Sequence, residues 1–368
     1  MTNNEFCKFF RNGLVYNNDT VNFTVSPCCY FSNNDVIDPT ADIDAQFQQY
    51  RAAWQIANVN KTCKICIDQE TSNIPSYRQA ANDIVTNDVG KITMLTVAVT
   101  KKCNLACPSC GSEASSLWHK ENLRNGVMEP ETIIKMHQED HEHLIAKKFL
   151  SLFETQDLSA LRYIKFGGGE PFMSDLHQQI LNLVPNPELV TVQYTSNFSL
   201  MPTKTVFETW KKFQLIKWCA SMDGIGEQFE FLRWPYLWEK FCNFKRQAFD
   251  LVPLNVMFGV EHTLNPLNIL YFDQFENWFK AEFSVNRLGD VSDFNIHYAG
   301  GVMGLNCVTP ELKQAVVDKF GPDHRVVKLL NQIPLTGDIL QFTDYLDRIN
   351  RWRNLNWRSI FPATEVFY

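Results

Sequence analysis

Six short runs rich in β-branched and aromatic residues recur along the middle of the chain, and helical stretches separate them. The pattern predicts strands near 92–100, 161–166, 189–194, 215–221, 254–261 and 292–298. Parallel neighbours need a crossover long enough to return the chain, and a helix supplies it. Strands alternating with helices therefore restrict this region to an α/β architecture with a parallel sheet. Six such units are present, and reactive groups in folds of this class gather at the C-terminal strand ends.

Those strand ends carry the distinctive residues. The first run leads into Cys103-Asn-Leu-Ala-Cys107-Pro-Ser-Cys110. Three thiolates at C-x3-C-x2-C spacing can hold one corner of an iron–sulfur cube and leave the remaining iron open to a ligand. Structural zinc is the competing reading, but it wants a fourth ligand close by, and His119 lies beyond a Gly/Ser-rich turn. The second run leads into Gly167-Gly168-Gly169-Glu170-Pro171, the third into Thr195-Ser196-Asn197, and the fourth into Ser221-Met222-Asp223-Gly224, with Arg233 beyond. Taken singly, a Gly-rich turn and an Asp-Gly pair are ordinary punctuation. The Gly-Lys-Ser/Thr of a phosphate loop is missing, and no G-x-G-x-x-G opens a helix.

In this order, each at a strand end, the four motifs resemble those of the radical S-adenosylmethionine (radical SAM) superfamily. The six βα units match that family's fold, and the resemblance implies an α/β, TIM-like partial (β/α)6 barrel with a site-differentiated 4Fe-4S cluster on Cys103, Cys107 and Cys110. It implies S-adenosylmethionine along Gly167, Gly168, Gly169, Glu170, Asn197, Ser221, Asp223 and Arg233, with Gly168 and Glu170 near the methionine amine. The implied chemistry is reductive cleavage to a 5′-deoxyadenosyl radical and hydrogen abstraction from a peptide or small molecule. A low-potential donor such as flavodoxin or ferredoxin would supply the electron. One departure is Ser109, at a position often aromatic beside the adenine.

A second cysteine set lies in front. Cys7 precedes an expected hairpin, Gly13–Tyr16 and Val21–Val25, which leads to Cys28 and Cys29; a helix-like stretch with Trp54 then reaches Cys63 and Cys66. This order resembles twitch and SPASM modules, which hold an auxiliary 4Fe-4S cluster, although such modules usually follow the barrel. The resemblance implies Cys7, Cys28, Cys63 and Cys66 as ligands, with Cys29 the alternative to Cys28. A zinc ribbon on the same four residues is the competing reading. The expected organisation is an auxiliary module over 1–85, the barrel over 86–310, and a C-terminal segment over 311–368 packed on the barrel's open side. A non-catalytic metal-binding or scaffold protein, with zinc or a degenerate cluster, is the alternative function.

Composition narrows the setting. A formal net charge of -7 argues against a nucleic-acid surface built on bulk electrostatics. No run approaches the roughly 18 apolar residues of a membrane span, and the N-terminus does not read as a signal peptide, so a cytoplasmic protein is expected. In that reducing compartment eleven cysteines point to metal rather than disulfides. Cys219, Cys242 and Cys307 stand alone. Cys307 follows a glycine-bearing loop after the sixth strand, which would hang it over the barrel mouth as a hydrogen-atom donor; the usual fate of a lone cysteine is burial. His137 and His141 lie one helical turn apart, although a charged surface helix accounts for them equally.

Overall fold

The computed structural model describes residues 13–18, 23–26, 35–37, 45–46, 49–50, 64–74, 76, 78–79, 91–112, 114–127, 150, 157–283, 285–286, 289–290 and 294–368, the strands within 13–37 and 285–290 by backbone alone. Cys7, Cys28, Cys29, Cys63, Trp54, His137 and His141 lie outside these residues.

The strands are β1 (Gly13–Asn18), β2 (Phe23–Ser26), β3 (Asp35–Ile37), β4 (Met94–Thr100), β5 (Tyr163–Gly168), β6 (Thr191–Ser196), β7 (Leu215–Ser221), β8 (Val256–Leu264), β9 (Val285–Asn286), β10 (Gly289–Asp290) and β11 (Asn295–Tyr298). One sheet has the order β11-β8-β7-β6-β5-β4-β1-β2-β3, while β9 and β10 form a separate hairpin. Strands β4, β5, β6, β7, β8 and β11 are parallel throughout, forming the six-stranded half-barrel that the sequence pattern implies. The hairpin of β1 and β2 extends the same sheet, because β1 pairs with β4 in parallel from Gly13 opposite Met94 to Tyr16 opposite Val97.

Period-two alternation gives the sheet two different faces. Ile164, Phe166, Val192, Tyr194, Ile216, Trp218, Phe258 and Val260 are buried. Their alternates include Lys165, Gln193, Lys217 and Glu261, a polar stripe that a sheet covered on both sides would not carry. Helices α3 (Leu176–Asn182) and α4 (Lys204–Trp210) contribute Ile180, Leu181, Val206 and Trp210 to the core. Phe172 stacks on Tyr194 with centroids 5.0 Å apart, and Trp210 sits 5.7 Å from Trp218. Aromatic pairs of this kind add about 0.5–1.5 kcal/mol each beyond their area burial.

Further helices follow in the chain: α5 (Gly226–Leu232), α6 (Trp238–Leu251), α7 (Phe272–Glu282), α8 (Pro310–Phe320), α9 (Arg325–Gln332) and α10 (Ile339–Arg353). No helix among the described residues is long and apolar enough to cross a membrane.

Candidate active site

The three cysteines sit on the loop that leaves β4, and its neighbours hold that loop at several points. The N–H of Gly169 donates to the Thr100 carbonyl at 2.7 Å, and the N–H of Glu170 donates to the Lys102 carbonyl at 2.7 Å. The two loops lie so close that a Cβ on Gly169 would fall 2.3 Å from the Lys102 carbonyl oxygen. Gly168 adopts φ +103, in the region that favours glycine, and a Cβ there would fall 2.7 Å from the Thr100 carbonyl oxygen. Two of the three glycines are therefore required by the crossing of backbones. Gly167, with nothing within 4 Å of its Cβ position, is the one that faces open space.

On the other side, helix α2 (Ser116–Arg124) follows the cysteines, and its N-cap Ser115 does two tasks. Its hydroxyl accepts the Trp118 N–H at 3.3 Å and donates to the Leu105 carbonyl, so the helix cap also fixes the cysteine loop. Trp118 Nε1 donates to the Cys107 carbonyl at 2.9 Å. From α10, Tyr345 Oη donates to the Pro108 carbonyl and Arg353 Nη2 to the Ala106 carbonyl, both at 2.7 Å. Arg353 also pairs with Glu121 at 2.8 Å and lies over the Trp118 ring.

Cys103, Cys107, Cys110, Gly167, Gly168, Gly169, Asn197, Ser221 and Arg233 line one cleft of about 460 Å³ at the strand ends. Asn197 Nδ2 donates toward Cys103 Sγ at 3.7 Å, and Arg233 Nη1 toward Cys107 Sγ at 3.9 Å. Arg233 in turn pairs at 2.8 Å with Asp223, whose other oxygen accepts the Thr263 N–H. Cys107 is pulled down to about 7, first by the hydrogen bond from Cys110 and further by Arg233, against the opposing push of burial. Cys110, as donor in that bond, is held above the ordinary thiol value, and burial together with Cys107 pushes Cys103 up to about 12. Glu170 is fully buried. Its carboxylate accepts from the Asn197 N–H at 2.7 Å, the Ser196 hydroxyl at 2.9 Å and the Phe172 N–H at 3.3 Å, which ties the glycine loop to the end of β6. Burial pushes this carboxyl up to about 7 despite the three donors.

As the side chains stand, no three His, Cys, Asp or Glu groups among the described residues converge on a metal-sized point. The donor set nonetheless fits an iron–sulfur corner: three thiols face one cleft, two of them joined by a hydrogen bond. Thr195 Oγ1 and Arg233 Nε are buried without a hydrogen-bond partner, and both residues line this cleft. Buried polar atoms of this kind mark places where a ligand or water completes the bonding.

Two other candidates lie elsewhere. Cys66 is the one described member of the front cysteine set; it is buried on α1 (Lys64–Thr71). That helix adjoins the cleft: Ile65 lines it, and Gln69 Nε2 donates to the Ile296 carbonyl of β11 at 2.8 Å. Cys307 does not hang over the mouth as its loop position implied. It is 2% exposed, Tyr368 Oη donates to its carbonyl at 2.9 Å, and a Cβ on Gly337 would fall 2.4 Å from its Sγ. The buried neighbours Leu305 and Val308 turn the chain inward here, and burial raises the Cys307 thiol.

Sequence reasoning missed the inner-face groups below the thiols. Lys165, Glu261, Thr263 and His297 line the same cleft. The signal was present: a charged or amide residue at alternate positions of otherwise apolar strands.

No family model matches the chain. Over 234 residues it is 26% identical to a probable GTP 3′,8-cyclase of Methanosarcina mazei, an alignment covering 62% of this chain and 59% of that protein. The chain thus spans less than two thirds of that relative. Among solved structures, native anSMEcpe with bound AdoMet is 16% identical over 66% of this chain and 62% of the other, with a TM-score of 0.39. Streptococcus suis SuiB bound to S-adenosylmethionine is 12% identical over 93% and 71%, with a TM-score of 0.38.

Proposed function

We propose that this protein is a radical SAM enzyme acting on a peptide or small molecule. The observation that carries the reading is the shared cleft: the three-cysteine loop and the glycine loop are hydrogen-bonded together at the strand ends, facing Asn197, Ser221 and Arg233. When bound, a 4Fe-4S cluster with S-adenosylmethionine supplies a 5′-deoxyadenosyl radical able to abstract hydrogen from an unactivated carbon. The chain's own part is positional. Cys103, Cys107 and Cys110 would hold the cluster, Gly167 leaves space, and Asn197, Ser221 and Arg233 offer polar contacts to the nucleotide. Arg233 is fixed by Asp223 and so is pre-oriented. Cys110 is exposed, which gives a low-potential donor such as flavodoxin or ferredoxin an approach to the cluster edge.

The reading extends to a twitch-like auxiliary 4Fe-4S cluster on Cys7, Cys28, Cys63 and Cys66, supported by the closeness of α1 to the cleft. Such a cluster would take up the second electron from the substrate radical left by hydrogen abstraction, favouring a two-electron dehydrogenation or cross-link, in a reducing cytoplasm. Reduction with dithionite under anaerobic conditions and detection of 5′-deoxyadenosine by mass spectrometry test the enzyme. Release of the nucleoside is expected; none from protein with intact clusters and several low-potential donors overturns it. Reconstituted protein should hold about eight irons, falling to about four when Cys103, Cys107 and Cys110 become Ala. Stoichiometric zinc on the front residues would overturn the auxiliary cluster alone.

A further inference from the structure

On the inner face of the sheet, Lys165 and His297 pair with Glu261, so that cluster answers its own charge. A different arrangement stands beside the cysteine loop. A second cavity of about 520 Å³ opens there, and Ser109, Cys110 and Gly300 line both it and the cleft. Its volume falls in the roughly 300–1,000 Å³ range of small-molecule sites. Trp118 of α2, Met303 beyond β11 and Tyr345 of α10 give it ring-bearing and apolar walls. Arg348 is the one basic side chain among the described lining residues, and no Asp or Glu accompanies it.

Helix α10 brings Arg348 to this wall. Positions 345, 348 and 352 are three and four apart and so share one face. The Arg348 guanidinium carbon lies 5.4 Å from the Tyr345 ring centroid and 5.3 Å from that of Trp352. Tyr345 is itself tied to the Pro108 carbonyl at 2.7 Å, which sets this face of α10 against the cysteine loop. Contacts to ring faces steady a guanidinium without taking up its N–H donors. Among the described residues Arg348 has no hydrogen-bond or ion-pair partner, and its side chain is exposed. A steadied fork with no acidic neighbour in its cavity suits a planar or tetrahedral oxyanion, which it can meet with two parallel bonds.

We propose that this second cavity is a recognition subsite in which Arg348 takes a carboxylate or phosphate group of the substrate, while the carbon to be attacked lies in the cleft. The shared rim of Ser109, Cys110 and Gly300 lets one elongated molecule reach both. The proposal deepens the enzyme reading by naming a substrate class, and it rests on that reading only for calling the ligand a substrate. The walls favour an acidic group carried on an aromatic or apolar frame, so benzoate and phenyl phosphate are the probes.

Each probe is measured by equilibrium dialysis, in a separate arm at constant ionic strength, against reconstituted full-length protein with and without S-adenosylmethionine. The preferred arm assigns the group as carboxylate or phosphate. Arg348→Met keeps the apolar stem and removes the fork; it should weaken the preferred probe about tenfold or more. Arg348→Lys keeps the charge but not the paired donors, and should weaken it about threefold. Asn122→Lys adds a second cation to the lining and should tighten the same probe about threefold, a gain that a damaged fold cannot produce. If neither probe binds, if Arg348→Met binds as wild type does, or if Asn122→Lys brings no gain, the subsite is overturned. Competition between S-adenosylmethionine and the probe would overturn it as well, by giving the cavity to the nucleotide. The expected variant pattern without release of 5′-deoxyadenosine on reduction would sustain the subsite and sink the enzyme reading.

Discussion

Replacing Glu170 with Ala should damage the fold and the cleft together, and the size of the effect follows from its three hydrogen bonds. The substitution leaves the Asn197 N–H and the Ser196 hydroxyl, bonded at 2.7 and 2.9 Å, without their acceptor in a fully buried place. A buried donor stripped of its partner costs about 1–3 kcal/mol. The Phe172 bond, at 3.3 Å, adds less. Against this, the carboxylate no longer has to be desolvated, a cost visible in its upward push to about 7. The net loss is about 2–4 kcal/mol, a large part of the roughly 5–15 kcal/mol that folded proteins possess. With a urea dependence near 3 kcal/mol per molar, the unfolding midpoint should fall by about 1 M. Glu170→Gln keeps an acceptor oxygen and should lose about half as much. Urea titration of both variants, with S-adenosylmethionine dialysis on the same preparations, is the assay. Binding should weaken in both, because Asn197 is anchored through this carboxylate. A midpoint for Glu170→Ala within about 0.3 M of wild type would refute the reasoning.

Gly169→Ala should displace the cysteine loop, since the new Cβ would meet Lys102 backbone at 2.3 Å; overpacking of this kind costs about 1–3 kcal/mol, and iron uptake should fall by at least half. Gly167→Ala, with open space around it, should unfold within about 0.5 M urea of wild type. Burial favours protonation of Glu261, yet Lys165 and His297 outweigh it and hold the carboxyl at about 2. Its contribution, about 3 kcal/mol at about 1.4 kcal/mol per pH unit, is therefore complete above about pH 4.5 and lost as pH falls toward 2. Acid titration of Glu261→Gln should lack that part of the slope, and an unaltered slope would contradict it. Cys307→Ala should lower the urea midpoint slightly and leave product unchanged. Solvent deuterium on product carbon from wild type alone would contradict its burial.

The half-barrel was legible because its strands are short β-branched and aromatic runs, and their observed limits fall within a few residues of the pattern. The C-terminal strand ends followed from topology alone. Less accessible was what each side chain does there. Glu170 reads as a ligand residue in its motif, yet its carboxylate is turned onto Ser196 and Asn197, a choice made by neighbours 26 and 27 positions away. Cys307 shows the same limit, since the Gly337 backbone that packs on it comes from a later segment. The Lys165–Glu261–His297 cluster was encoded as polar alternates in apolar strands, but only the curl of the sheet brings β5, β8 and β11 to one point.

The pairing of β1 with β4 bears on how the cysteine loop is kept in place. Were residues 13–18 removed, β4 would become the rim of the parallel sheet, with unpaired amides and carbonyls along the strand that delivers Cys103. An open rim recruits other strands, from the same chain or from copies of it. The front hairpin thus works as a seal, and those amide protons of β4 that point toward β1 should exchange with solvent as that seal lifts.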